Sequence, residues 1–347
     1  MRALVWHGPG DVRLEERRRP TPNPDQVLVA MKAVGICGSD VSLYKTGTLG
    51  TLKPAEPFVM AHEGTGRVVE LGERVQGVAV GDRVAVNPQL ACGRCTYCRR
   101  GEENLCEDLS FNSVSGDGVL AETVAVHSDQ AVGLPENVDH VTGTAIEPLS
   151  VAVQAVRRSG AGPGDDVLVL GAGTVGLLAI QVALSEDVGR VAAADVRPSA
   201  LTLARELGAA EAIDCRARSV MEAVRESWNG GRGPDVVLET AGSPETQSAA
   251  VSLARPGGTV VLVGISAHPA VGLDVNRIVR SNLDVRGTVR TSGDAFLEAA
   301  RLVEAGRVSL APLISRVYRF EEAEEALRQK LDPEDTTIKC VVRFEGG

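Results

Sequence analysis

Four of the seven cysteines fall within fifteen residues, as Cys92-x2-Cys95-x2-Cys98-x7-Cys106. Four thiolates at that spacing can close tetrahedrally on a zinc ion and leave no position open, which predicts a structural rather than a catalytic site. Nothing else in this Gly- and Arg-rich stretch would order it, and an odd cysteine count argues against a disulfide framework. A second set of candidate ligands is dispersed: Cys37 in GICGSD, His62 and Glu63 in AHEGTG, and Glu147 in AIEPLS. Thiolate, imidazole and carboxylate are the donors of zinc sites that keep one position for water or substrate. Taken singly, each also reads as a buried thiol, a surface His-Glu pair or an acid at a helix start. A third feature suits a phosphate: Gly171-Ala172-Gly173-Thr174-Val175-Gly176 directly follows VLVL and opens a helical segment. Two glycines permit the tight turn and the approach of a pyrophosphate to the helix N-terminus, and the third lets helix pack on strand. Asp195 ends the next strand, 24 residues after Gly171. A carboxylate there accepts from both adenosine ribose hydroxyls and repels a 2′-phosphate. NAD is therefore expected over NADP, with Arg197, two residues on, softening the preference.

These residues need elements to hold them. The chain has 347 residues, enough for two domains. Short β-rich segments broken by Gly and Pro (RALVW, DVRLEE, QVLVAMKAVG, GTGRVVELG, GDRVAV and GVLAETVAV) occupy the first 130 residues and predict a mainly antiparallel, barrel-like domain. From Val151 the strands VLVL, RVAAAD, DVVLET and TVVLVG alternate with helical segments, the pattern of βαβ units and a parallel sheet covered on both faces. After Val289 come a helix, AFLEAARLVEAG, an acidic helix, FEEAEEALRQK, and a last strand, IKCVVRF. We read this tail as returning to the first domain. The expected organisation is residues 1–150 with 289–347, and 151–288.

Composition narrows the partners. A formal charge of -10 and 3% aromatic residues offer neither a phosphate-binding stripe nor a base-stacking platform, so no nucleic acid is expected. MRALVWHGPG lacks the apolar run of a secretion signal, which predicts a cytoplasmic protein. Val167 to Leu184 is apolar enough for a membrane helix, but Gly171, Gly173 and Gly176 interrupt it at the spacing of the phosphate turn. No membrane association is expected.

Taken together and in this order along essentially the whole chain, the motifs resemble the zinc-dependent medium-chain dehydrogenase/reductase family, the alcohol dehydrogenase superfamily. Glu147 in IEPLS and Arg290 in RGTVR look most like its sorbitol (polyol) dehydrogenase branch; the butanediol, threonine and galactitol-phosphate dehydrogenases share part of the pattern. The resemblance implies an α/β protein with a GroES-like β-rich catalytic domain and a doubly wound parallel-sheet (Rossmann) cofactor domain. It implies an NAD-dependent oxidoreductase with two zincs per chain, acting on a small-molecule alcohol as a homotetramer or homodimer. Cys37, His62 and a carboxylate, Glu63 or Glu147 by turns, would hold the catalytic zinc, and Ser39 would begin a proton relay. Val263 in VLVG would pass the nicotinamide, and Arg290 and Tyr44 would face the substrate. The exact substrate depends on segments such as Tyr44 to Phe58 and Phe111 to Gly118. Two residues depart from the family: Ala61 stands where a glycine is usual, and Ser42 where many relatives carry a histidine that passes the proton to solvent. A non-catalytic NAD-binding scaffold and a zinc-independent alkene reductase compete with this reading, and two complete donor sets argue against both.

Overall fold

The computed structural model describes residues 1–345 apart from 51, 55, 56, 269 and 333. Part of the segment from Tyr44 to Phe58 therefore lies outside the described residues, as do 346 and 347 at the end of the expected returning tail. The chain forms two compact units, one of Met1–Glu147, Thr291–Ala305 and the residues from Leu310 on, the other of Pro148–Arg290 with Gly306–Ser309. Among the described residues no helix is long and apolar enough to cross a membrane.

In the first unit the alternating segments pair into antiparallel sheets. Gln26–Gly35 is the hub: it pairs with Glu63–Leu71, with Thr123–His127 and with the final strand Lys339–Arg343. Glu63–Leu71 in turn pairs with Arg83–Val86. Arg2–Gly8 forms a second sheet with Asp11–Glu16 and Phe58–Val59. The shared core holds Trp6, Val29, Leu43, Met60, Leu120 and Phe320. The segment GVLAETVAV becomes strand only over Thr123–His127. Its first half is held on 59–61 instead, with Gly118 N donating to Val59 O at 2.6 Å and Leu120 N to Met60 O at 2.9 Å. That contact braces the chain just before His62.

In the second unit six parallel strands follow the order Glu211–Asp214, Arg190–Asp195, Asp166–Leu170, Val236–Glu239, Thr259–Leu262 and Asp284–Gly287. This is the doubly wound 3-2-1-4-5-6 arrangement, whose strand order reverses beside Asp166–Leu170 and opens a crevice at the strands' carboxyl ends. The strands read as continuous apolar runs because both faces are covered: Val167, Leu168 and Val169 are fully buried. Local signals start the helices. Pro198 and Pro244 stand in first helical turns, and Ser243 Oγ accepts from Thr246 N at 3.2 Å to cap Pro244–Leu253.

Candidate active site

Cys37 ends the run that leaves strand Gln26–Gly35 and caps the helix Gly38–Thr46, its N–H donating to Asp40 Oδ2 at 2.8 Å. His62 and Glu63 enter the strand that pairs with that same hub, in the register Gly35↔Glu63. Two adjacent strands thus deliver a thiol, an imidazole and a carboxylate whose ligand atoms all lie within 4.8 Å of one another. Gly35 makes room: a Cβ there would stand 2.3 Å from Glu63 Oε2 and 2.9 Å from Lys339 Cε. Glu147 is buried nearby but falls outside the three-residue cluster.

The electrostatics fit a divalent cation. Glu147 is pushed up to about 7 by burial and by repulsion from Glu63 and Asp40, against the pull of His62 and Lys339. Burial also raises Asp40. For His62 burial opposes the charged ring, yet a hydrogen bond to Cys37 and the negative charges of Cys37, Asp40 and Glu147 raise it to about 10. Burial favours the protonated forms of Glu147 and Asp40, and a divalent cation beside them would favour the charged forms instead. Zinc takes this donor set with a fourth position left for a ligand. Ser39 Oγ is buried without a hydrogen-bond partner among the described residues, as a hydroxyl awaiting a substrate would be.

Sequence reasoning missed Lys339. Its ammonium is fully buried, pairs with Glu63 Oε2 and donates to Ile36 O at 3.2 Å. Burial opposes its charge, but Glu63, Cys37 and Glu147 raise its pKa. The signal was a lysine near the start of the apolar strand IKCVVRF, meaningful only once that strand lies beside Gly35.

The cysteine lobe brings all four sulfurs within the same 4.8 Å limit. Backbone N–H groups point at them: Cys92 N to Cys106 Sγ at 3.2 Å, Cys95 N to Cys92 Sγ at 3.4 Å, and Cys98 N to Cys95 Sγ at 3.5 Å. The N–H groups of Cys98 and Glu107 lower Cys95 to about 6, whereas burial and the neighbouring sulfurs push Cys98 up to about 12. Four sulfurs so closely packed, with backbone N–H groups aimed at them, suit a tetrathiolate zinc.

The phosphate turn is built as its spacing predicts. Gly171 has φ +96°, and a Cβ on Gly176 would lie 1.9 Å from Gly171 O, so helix Thr174–Ser185 starts against the strand end. Asp195 Oδ2 accepts from Ala172 N at 2.7 Å, and Oδ1 from Arg197 N at 2.8 Å and Nε at 3.1 Å. Burial opposes the Asp195 charge, but Arg197 holds its carboxyl below the usual range. Val263 N donates to Glu239 O at 2.8 Å. Glu239, which the sequence did not single out, is fully buried, and its Oε1 accepts from Ala241 N at 3.0 Å, Gly242 N at 2.8 Å and Thr246 Oγ1 at 2.7 Å. It ties the loop at a strand end that faces the crevice.

Three further residues that the sequence singled out have the following surroundings. The Tyr44 ring is packed in the core, and its hydroxyl accepts from Arg328 Nε at 3.4 Å. Helix geometry explains this, because Tyr44 lies on the face that packs against Ala323–Gln329. Ser42 Oγ donates to Thr48 O at 3.0 Å, which makes it a brace of the following turn. Arg290 is exposed, with φ +57°, at the end of the second unit.

Residues 23–136 match the alcohol dehydrogenase GroES-like domain and 174–305 the zinc-binding dehydrogenase domain. A sorbitol dehydrogenase of Bacillus subtilis (strain 168) is 32% identical over 343 residues, 99% of this chain and 97% of that protein. A D-xylulose reductase A of Aspergillus oryzae is 34% identical over 332 residues, 94% of this chain and 92% of that protein. A crystal structure described as a zinc-binding dehydrogenase from Sinorhizobium meliloti 1021, bound to NADP, superposes with a TM-score of 0.91 at 33% identity, covering 99% of this chain and 98% of the other. Two donor sets and a dinucleotide turn on matching domains make this chain an enzyme of the zinc-dependent medium-chain dehydrogenase/reductase family, in its polyol branch.

Proposed function

We propose that this enzyme oxidises a secondary hydroxyl of a small polyol of the sorbitol or xylitol class with NAD, and reduces the ketose in reverse. The observation that carries the reading is the buried Cys37–His62–Glu63 cluster, with the unpartnered Ser39 hydroxyl on the helix that Cys37 caps. Cys37, His62 and Glu63 hold the metal, and Lys339 offsets the charge of Glu63. Zinc supplies Lewis acidity that lowers the pKa of an alcohol, and NAD is the hydride acceptor. Ser39 takes the substrate proton, and Glu147, with its pKa near neutrality, is placed to hold or release one. Since Ser42 is tied to Thr48 O, the outer step of the relay differs from that of relatives with a histidine there. At the other end the glycine turn holds the pyrophosphate, and Asp195 reads the adenosine ribose and favours NAD. The relatives, a sorbitol dehydrogenase and a D-xylulose reductase, support the polyol class. Arg290 would donate to further substrate hydroxyls, a role resting on the resemblance alone. The same resemblance supports a homotetramer or homodimer.

A panel with NAD tests this reading: sorbitol, xylitol, 2,3-butanediol, threonine and a short monohydric alcohol. We expect kcat/KM for the best polyol to exceed that for the monohydric alcohol at least tenfold. A preference for the monohydric alcohol or for threonine would overturn the polyol assignment.

A further inference from the structure

We propose that Ser113 is the positioning residue that aims His62 at the catalytic metal, and that the cysteine lobe holds Ser113 in place. The inference rests on the reading that Cys37, His62 and Glu63 bind zinc. A metal-bound imidazole uses one ring nitrogen for the ion, and the other must find an acceptor that fixes tautomer and ring orientation. Ser113 Oγ stands 3.3 Å from His62 Nδ1, and both side chains are buried. Asp40 Oδ1 lies farther off, at 4.0 Å, without a hydrogen-bond partner among the described residues; it places negative charge behind the ring, while Ser113 Oγ is the nearer atom and within hydrogen-bond reach of Nδ1. With Nδ1–H donated to Ser113, Nε2 is left to the metal. The Phe111 ring packs on the imidazole, centroids 5.3 Å apart, so one short segment grips His62 by an edge and a face.

The backbone of that segment shows what the hydroxyl is for. Ser113 has φ +66°, a left-handed conformation that glycine adopts freely and serine only under strain. Strain of this kind persists where surrounding contacts impose it, and it concentrates at functional sites. Here the contacts come from the lobe. Ser110–Phe111 pairs with Gln89–Leu90, so the four cysteines lie between the two strands of one short ribbon. Beyond the ribbon Asn112 N donates to Pro88 O at 2.8 Å, and Asp117 Oδ1 accepts from Val59 N at 2.9 Å. The closed lobe thereby sets the path of 111–117 onto the segment that carries His62.

Ser113→Gly separates the hydroxyl from the backbone, because glycine keeps the conformation and relieves the strain. The readout is the affinity of the exchangeable site for Co²⁺, by chelator competition and by the visible bands of the cobalt protein, with thermal melting of the metal-free chain alongside. We expect affinity to fall tenfold or more and the cobalt bands to shift, while the melting temperature is unchanged or higher. Affinity and bands equal to those of the unaltered protein would overturn the proposal. If the variant melts lower, Ser113→Asn decides, since asparagine tolerates the left-handed backbone and restores an oxygen acceptor: recovered affinity upholds the proposal, and none overturns it. Failure of the unaltered protein to bind Co²⁺ at Cys37 and His62 would instead refute the zinc reading itself.

Discussion

Ala61 precedes His62 with φ +64°, in the region where a Cβ clashes with the backbone. With alanine in place of the family's usual glycine, the turn into the metal site is kept under strain. Ala61→Gly should therefore stabilise the protein by about 1 kcal/mol, raising the melting temperature on the order of 1–2 °C in a calorimetric scan; a lower melting temperature would count against it. The two carboxylates separate by position. Glu63 belongs to the three-residue cluster and Glu147 stands outside it, so Glu63→Ala should lower bound zinc while Glu147→Ala keeps most of the metal and loses turnover. Metal analysis beside steady-state kinetics would show the split, and zinc loss on Glu147→Ala alone would reassign the ligands. The motif residues were legible in the sequence because their types and spacing state their chemistry. Lys339 and Ser113 were not, because their partners lie 276 and 51 positions away in the chain and only strand pairing and loop path bring them in. Nor was the packing of Tyr44 against Ala323–Gln329 legible, because position near a motif does not fix which helix face a side chain takes.

At the scale of elements, apolar runs located the four inner strands of the six-stranded parallel sheet to within about two residues, since strands buried on both faces cannot be polar. They missed the two edge strands, Glu211–Asp214 and Asp284–Gly287, whose exposed edge position admits charged residues. They did worse in the first unit. GVLAETVAV looked like one strand, but its first half is bound to 59–61 by backbone contacts that no periodicity encodes. The short helix His140–Gly143 gives a test at this scale, because Thr65 Oγ1 donates to His140 O at 2.7 Å and joins it to strand Glu63–Leu71. Burial, then the charges of Arg83, Arg67 and Lys32, depress His140 to about 4. Its unfolded value is about 6.5. Between those values the unfolded chain binds more protons, so this contribution to stability is complete above pH 6.5 and is lost as pH falls toward 4. His140→Gln should flatten the fall in melting temperature over that window relative to the unaltered protein. Parallel curves would show that His140 is protonated as easily in the folded state.

At the scale of the whole molecule, the sequence carried the order of the motifs: dispersed ligands, cysteine lobe, dinucleotide turn, returning strand. What it could not carry was the supporting charge and hydrogen bonding, because Lys339 reaches Glu63 only when the last strand pairs with the hub strand. The account requires two metals of unlike character, one enclosed by four sulfurs and one held by three protein donors with a position to spare. The most direct test is metal analysis during stepwise chelation of the native enzyme, with NAD-linked polyol oxidation followed in the same samples. We expect two zincs per chain, loss of one in step with activity, recovery on adding zinc, and retention of the other throughout. Full activity in protein holding one zinc or none would contradict the account.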